Sequence, residues 1–163
     1  MSPEPSTPNL SHLTPGGEAR MVDVSDKAVT AREATASAVV RMTASLLDLL
    51  MNGSLPKGDA LATARIAGIQ AAKRTGDWIP LCHPLALDWV QIEFARTGPD
   101  ELRITSTAKT AARTGVEMEA MVAAAAAALT IYDMTKAADK GIVIGPLQLE
   151  RKTGGKSGTY QRE

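Results

Sequence analysis

Charged side chains lie at both ends of one alanine-rich stretch, Gly115 to Ala138. Glu117 and Glu119 are near its start, and Asp133 and Lys136 are near its end. Carboxylates and amines held close together can donate and accept protons, which general acid–base catalysis requires. Asp133 and Lys136 are three residues apart, so on a helix they share one face and could act on one ligand.

The same stretch predicts a long helix, and the helix sets the distance between these groups. Alanine is the strongest helix former, and no Pro or Gly interrupts residues 116–140. We predict a helix over that range, with Lys136 and Lys140 in its last turn and Gly141 as its stop. Glu119 and Asp133 would then be about 21 Å apart along the axis, too far for one nucleotide-sized ligand. If both ends are chemical, two copies of the chain must share the site.

Each of these residues also has a purely structural explanation. Acidic residues stabilise the start of a helix through its dipole, and Asp133 with Lys136 could be a surface ion pair of little energetic weight. Because Glu117 and Glu119 are two residues apart, they should point to nearly opposite sides of the helix. At most one of them is therefore expected to face a given ligand.

Cys82 and His83 lie between Pro80 and Pro84 in the segment IPLCHP. The prolines predict a stiff, irregular loop, and stiff loops position binding groups well. A structural zinc site is disfavoured because it needs four ligands and the chain has two His and one Cys. A buried structural His83 is the alternative.

The segment GGKSG near the C-terminus is similar to the end of a phosphate-binding P-loop. The first glycine of that motif would fall on Glu150, however, and no helix follows, so the P-loop interpretation fails. The segment is either a Lys-bearing turn able to fold over an anion or a flexible tail. Several basic residues would suit a polyphosphate if they converged on one pocket, and are otherwise solvated charges: Arg32, Lys57, Arg65, Lys73, Arg74, Arg113, Lys152 and Lys156.

Two hydrophobic periods predict the elements that position these residues. A period of two predicts strands over residues 32–42, 89–96, 102–109 and 142–151, the middle pair forming a hairpin through TGPD. Met21 to Ser25 either pairs briefly as a strand or crosses the surface.

Two helices are predicted between the first strand and the hairpin. The first is capped by Thr43 and stopped by Gly53, and the second is capped by Asp59 and closed by Gly76. The order β-α-α-β-β-α-β predicts an α+β, ferredoxin-like split βαβ fold, an antiparallel sheet with helices on one face.

Composition limits the classes of function. The chain has 18 basic and 18 acidic residues, so no net charge argues for nucleic acid or an anionic membrane. The long helix carries too short an apolar run to span a bilayer. One cysteine excludes an internal disulfide and fits a cytoplasmic protein, and the N-terminus lacks a secretory signal. We expect a disordered arm over residues 1–16, a single domain over 17–152 and a flexible tail over 153–163.

Four segments together resemble one family. They are MVDVSDKAVTAREATA, KGDALATARIAGIQAAKRTGDWIPLCHPLALD, TGVEMEAMVAAAAAALTIYDMTKA and GPLQLERKTGGKSG. The chain, from about Gly17 to Gly158, closely resembles the cyclic pyranopterin monophosphate synthase (MoaC) family of molybdenum cofactor biosynthesis. The resemblance implies a ferredoxin-like fold and a hexamer built as a trimer of dimers, with active sites at the dimer interfaces.

The activity that the resemblance implies is that of a lyase acting on a small nucleotide-derived molecule. Such an enzyme converts 3′,8-cyclo-7,8-dihydroguanosine 5′-triphosphate to cyclic pyranopterin monophosphate and releases pyrophosphate. We predict no resident cofactor and no protein metal site, although a divalent cation could accompany the substrate triphosphate.

Motif matches to the family also imply roles for particular residues. Asp133 matches the catalytic aspartate, with Lys136 beside it and Lys57 as a second functional lysine. Either lysine would serve as a general acid or base or as a phosphate ligand, and proton shuttling requires lowering the lysine pKa from about 10.4. The substrate-contacting positions implied are Leu81, Cys82, His83, Met118 and Glu119, with Arg32, Glu117 and Lys152 as further candidates.

Two other classes of function remain open on the sequence alone. A non-catalytic nucleotide-binding or regulatory oligomer of ferredoxin-like fold would bind the ligand without releasing pyrophosphate. A purely structural assembly protein would be insensitive to substitution of Lys57 or Asp133.

Overall fold

Five strands form one antiparallel sheet in the computed structural model, which describes residues 16–156 and 158–163. They are β1 (Thr30–Arg41), β2 (Trp89–Arg96), β3 (Glu101–Ala112), β4 (Val143–Thr153) and β5 (Tyr160–Gln161). Their order across the sheet is β2-β3-β1-β4-β5, and every neighbouring pair is antiparallel. The predicted hairpin is therefore present, and its second strand lies beside β1 as the split βαβ plan requires.

The helices are α1 (Ala44–Met51), α2 (Ala60–Ala72), α3 (Thr75–Trp78) and α4 (Glu117–Thr135). Helix α4 packs across β1, β3 and β4, and α2 packs on α4 and β2. The predicted α+β class and the order β-α-α-β-β-α-β are confirmed. The short α3 and the short β5 are additions that the sequence pattern did not predict.

Alternation along β1 separates a helix-facing side of the sheet from a polar side. The helix-facing residues Ala34, Ala36, Ala38 and Val40 are fully buried, because successive side chains of a strand point to opposite faces. On the polar side, Glu33 forms ion pairs with Lys109 (3.0 Å) and Arg151 (3.1 Å). Charged side chains from β1, β3 and β4 therefore meet on the face without helices.

Helices α2 and α4 are in close contact at Gly68. A Cβ atom at this position would lie 2.2 Å from Ile92 Cδ1 and 2.8 Å from the Ala123 carbonyl oxygen. The six-alanine run of α4 has almost no side-chain bulk, so the two backbones can come together here.

The end of α4 differs from the prediction. The helix ends at Thr135, with Lys136 as its C-cap residue, so the expected extension to Lys140 and the stop at Gly141 are wrong. The Thr135 hydroxyl donates to the Ile131 carbonyl at 2.6 Å, and the chain then turns, with the Ala138 N–H bonding to the Thr135 carbonyl at 2.9 Å. Helix propensity does not indicate where this turn begins, because residues 136–140 contain no Pro or Gly.

The end of α2 also differs from the prediction. Asp59 is the N-cap, as expected, and its side chain accepts a bond from the Ala62 N–H at 2.9 Å. The helix ends at Ala72, however, so Gly76 does not close it and instead lies within α3. The Thr75 hydroxyl bonds to the Ala72 carbonyl at 3.0 Å, and this contact separates the two helices.

Segments at the two ends of the chain complete the fold. The predicted disordered arm lies, up to residue 15, outside the described residues. Residues 21–25 cross the surface without forming a strand, and beyond residue 152 the chain pairs β5 with β4 through Lys152 and Tyr160. None of the helices in the described ranges has the length and apolarity that crossing a bilayer requires.

Candidate active site

A cavity of about 830 Å³ lies where the start of α4, the Pro-flanked loop and the ends of β1 and β4 meet. Its volume is typical of a small-molecule site. Every residue predicted to contact a substrate lines it: Arg32, Leu81, Cys82, His83, Glu117, Met118, Glu119 and Lys152. Residues from four separate segments therefore converge on one cavity.

Hydrogen bonds to β3 fasten the loop that carries Cys82 and His83. The Thr110 hydroxyl donates to the Ala86 carbonyl at 2.7 Å, and the Ala111 N–H donates to the Asp88 carboxylate at 2.9 Å. His83 is half-buried and lines the cavity, so it is not the buried core histidine of the structural alternative. The loop is thus tied to the sheet on one side and open to a ligand on the other.

Glu119 is a buried carboxyl group in the wall of the cavity, with 3 % of its surface exposed. Burial, reinforced by the nearby Glu117 carboxylate, raises its pKa from 4.5 to about 7. Partial burial also raises the pKa of the Cys82 thiol, and the Glu119 charge adds to that effect. A carboxyl group with a pKa near neutral pH can both donate and accept a proton.

Glu117 lines the same cavity as Glu119. Its carboxylate forms an ion pair with Lys152 at 2.9 Å. Both glutamates therefore line one cavity, and the expectation that at most one of them faces a given ligand stays a prediction.

The basic residues of the chain divide between this cavity and other places. Arg32, Arg113, Lys152 and Lys156 line the cavity, and Lys27 joins them. With five Lys and Arg against two Glu among its lining residues, the cavity favours an anion. Of the remaining basic candidates, Arg65 lies over the Phe94 ring at 5.3 Å, and Lys73 and Arg74 line a separate depression. Lys57 lies near the other end of α4, beside Asp133.

Several lining residues were not candidates from the sequence. Lys27, Val22 and Val24 come from the segment that leads into β1. The sequence left residues 21–25 open between a brief strand and a surface crossing, and it assigned them no chemistry. Their signal in the sequence is the position of this segment inside the first of the four segments that resemble the family, MVDVSDKAVTAREATA.

The three residues predicted to be catalytic form a second cluster, at the other end of α4. Lys136 Nζ lies 2.6 Å from Asp133 Oδ1, and Lys57 Nζ donates to the Asp133 carbonyl oxygen at 3.1 Å. The Lys136 hydrogen bond and charge lower the pKa of Asp133, and the Lys57 charge adds to this. Asp133 in turn raises the pKa of Lys136. Lys136 is thus held as an ammonium group, which suits a proton donor or phosphate ligand better than a base.

The two clusters are not brought together within one chain. None of Lys57, Asp133 and Lys136 is among the residues that line the cavity. Fourteen residues of continuous α4 separate Glu119 from Asp133, which corresponds to about 21 Å along the helix axis. Asp133 instead borders an exposed depression that contains Trp78 and Leu129, two large apolar side chains that are 50 % and 54 % exposed. One chain therefore carries two separate clusters of predicted site residues.

A metal ion has no evident protein site among the described residues. Within residues 16–156 and 158–163, no group of three or more His, Cys, Asp and Glu side chains is placed to hold one.

Comparison with known proteins identifies the family. The model of the MoaC family matches residues 21–155, a range that includes both clusters except Lys156. A protein of Herpetosiphon aurantiacus named cyclic pyranopterin monophosphate synthase is 60 % identical over 153 residues, which cover 93 % of this chain and 93 % of the relative. The chain belongs to the MoaC family.

Proposed function

We propose that the protein is a cyclic pyranopterin monophosphate synthase of molybdenum cofactor biosynthesis. It would convert 3′,8-cyclo-7,8-dihydroguanosine 5′-triphosphate to cyclic pyranopterin monophosphate and release pyrophosphate. The observation that carries the proposal is the convergence of all eight motif-matched binding residues on one cation-rich cavity. The name of the 60 % identical relative supports the same activity.

The charges of the cavity fit the proposed substrate. A triphosphate would be held by Arg32, Lys152 and Lys156, because charge-assisted hydrogen bonds from Arg and Lys to phosphate are strong. The ring system would lie towards Leu81 and His83, where the lining is less charged. No resident cofactor is part of the proposal, and a divalent cation would enter as part of the substrate complex.

The proposed reaction opens and closes rings, so it needs groups that exchange protons. Glu119 has a pKa of about 7 and could either donate or accept a proton at neutral pH. Lys136 is charged and paired with Asp133 at 2.6 Å, so we assign it the role of a proton donor or phosphate ligand. Asp133 would orient Lys136 or act on the substrate directly.

The separation of the two clusters supports a shared site, to which each of two copies of the chain would contribute a different half-site. A ligand held by the cavity of one copy would meet Asp133, Lys136 and Lys57 only if a second copy supplied them. The exposed Trp78 and Leu129 beside Asp133 offer an apolar surface for such contact. We propose dimers of this kind, assembled in threes as a hexamer, in the cytoplasm.

Incubation of the purified protein with the cyclised substrate tests the activity. The wild-type protein should release pyrophosphate and form the pterin product, and Asp133→Asn should nearly abolish both while leaving circular dichroism unchanged. Substrate binding without pyrophosphate release would favour the regulatory alternative. The absence of both binding and turnover would favour the structural one.

Mixed oligomers test the shared site. Asp133→Asn and His83→Ala disable different half-sites, so each alone should be inactive. If two copies share a site, subunits exchanged in equal amounts should regain about a quarter of wild-type activity, because half of random dimers are mixed and each has one intact site of two. No recovery after verified exchange would refute the shared site.

A further inference from the structure

Gly154 and Gly155 cross directly over the guanidinium group of Arg32. A Cβ atom at Gly155 would lie 1.7 Å from Arg32 Nη1 and 2.6 Å from its Cζ, and one at Gly154 would lie 2.2 Å from the Ala31 carbonyl oxygen. Both glycines have positive φ angles, +91° and +75°, which other residues adopt at a cost. Both the backbone angles and the close approach therefore call for glycine here.

The other side of the Arg32 guanidinium lies against the end of β3. Its Nε donates to the Ala112 carbonyl at 3.4 Å, and its Nη2 donates to the Arg113 carbonyl at 3.3 Å. A guanidinium group has five N–H donors in one rigid plane, so contacts on both sides fix the direction of the remaining donors. Nη1 is the nitrogen nearest the glycine turn.

Lys156, which follows Gly155 within the turn, lines the same cavity as Arg32 and Lys152. The path of the turn thus decides where two cationic side chains stand relative to each other. A turn lifted away from Arg32 would carry Lys156 with it and would release the guanidinium.

We propose that Gly155 is a positioning residue for the reaction. By lacking a Cβ atom, it lets the turn rest on Arg32, so that Arg32 and Lys156 face the triphosphate of the substrate together. The identity of this ligand rests on the proposed function. The proposed placing of Arg32 and Lys156 against a polyphosphate does not depend on that function.

Gly155→Ala tests the proposal, and Gly158→Ala is its matched control. Gly158 belongs to the same turn, its N–H bonding to the Gly155 carbonyl at 3.1 Å. It also has a positive φ of +67°, but a Cβ there would meet nothing within 4 Å. Both variants therefore carry a similar backbone cost, and only Gly155→Ala collides with Arg32.

The measurements are kcat and KM for the cyclised substrate and the calorimetric Kd for inorganic tripolyphosphate. Gly155→Ala should raise KM and this Kd about 10- to 100-fold, as for the loss of one hydrogen bond to a charged group. Gly158→Ala should change them less than about threefold, as expected for a surface substitution. The added Cβ displaces only the end of the Arg32 side chain and no part of the core, so the melting temperatures of the two variants should be alike.

A double-mutant cycle asks whether Gly155 acts through Arg32. In an Arg32→Ala background, Gly155→Ala should cause no further loss of tripolyphosphate affinity. An equal further loss in that background, or equal effects of the two glycine variants, would overturn the proposal. If Gly155→Ala does not fold, Arg32→Lys replaces it, because lysine keeps the charge but not the clamped plane, and wild-type affinity in that variant would also overturn the proposal.

The two hypotheses fail differently. A wild-type protein that forms no pterin product rejects the proposed function, whereas the tripolyphosphate measurements decide the role of Gly155 in either case.

Discussion

Replacing Glu119 by glutamine should make the stability of the protein less dependent on pH. Glu119 is 3 % exposed, and burial raises its pKa from 4.5 to about 7. Glutamine has nearly the same size and shape but no ionisable group. Glu119→Gln therefore removes the titration from the cavity wall with little change in packing.

The sign of the effect follows from proton binding in the two states. Between about pH 4.5 and pH 7, the folded protein keeps the proton of Glu119 and the unfolded chain has lost it. Stability falls with rising pH wherever the folded state binds more protons than the unfolded state. The wild-type protein should therefore lose stability across this window, and above it the loss is complete and constant.

The magnitude follows from the same two values. A pKa raised from 4.5 to about 7, at about 1.4 kcal/mol for each pH unit, corresponds to a loss of about 3 kcal/mol. Glu119→Gln should not show this loss of stability, because glutamine does not titrate. Relative to the wild type, it should gain about 3 kcal/mol in its free energy of unfolding between pH 4 and pH 8.

Urea unfolding from pH 4 to pH 8, at one protomer concentration, measures this difference. Glu93→Gln, an exposed residue of β2, makes the same change of charge and serves as the control. Parallel stability profiles for the wild type and Glu119→Gln would refute the reasoning, since they would show that Glu119 does not titrate between these pH values in the folded protein.

Two further predictions concern the scaffold. Gly68→Ala should lower the free energy of unfolding by about 1–2 kcal/mol, because the new Cβ meets the Ala123 carbonyl oxygen at 2.8 Å and overpacking outweighs the gain in helix propensity. Gly98→Ala, whose Cβ would make only ordinary contacts from 3.5 Å, is the control, and equal stability of the two variants would contradict a tight contact between α2 and α4. Asp59→Ala should cost about 1 kcal/mol through loss of the N-cap bond to Ala62. Asp59→Asn, which can still accept that bond, should retain most of the stability, and similar losses in both variants would argue against the cap.

The sequence predicted the elements well because their hydrophobic periods are local properties. Alternation predicted β1 and the hairpin, and the uninterrupted alanine run predicted α4. Boundaries were less predictable, because good helix formers continue past the observed ends. Helix α4 ends at Thr135 and α2 ends at Ala72, and in neither case does a Pro or Gly follow directly.

The cavity was predictable only in part. The motifs IPLCHP and GVEMEA pointed to residues that do line it, but Lys27 and Gly155 come from segments without regular structure. Their contribution depends on the path of the backbone in three dimensions.

Helix α4 sets the distance and the angle between the cavity and the Asp133–Lys136 pair. One inserted residue within the alanine run would shift one of them by about 1.5 Å and rotate it by about 100° relative to the other. Such a change would leave the composition of the helix almost untouched. Substitutions among small residues should consequently be far better tolerated in this run than any change in its length.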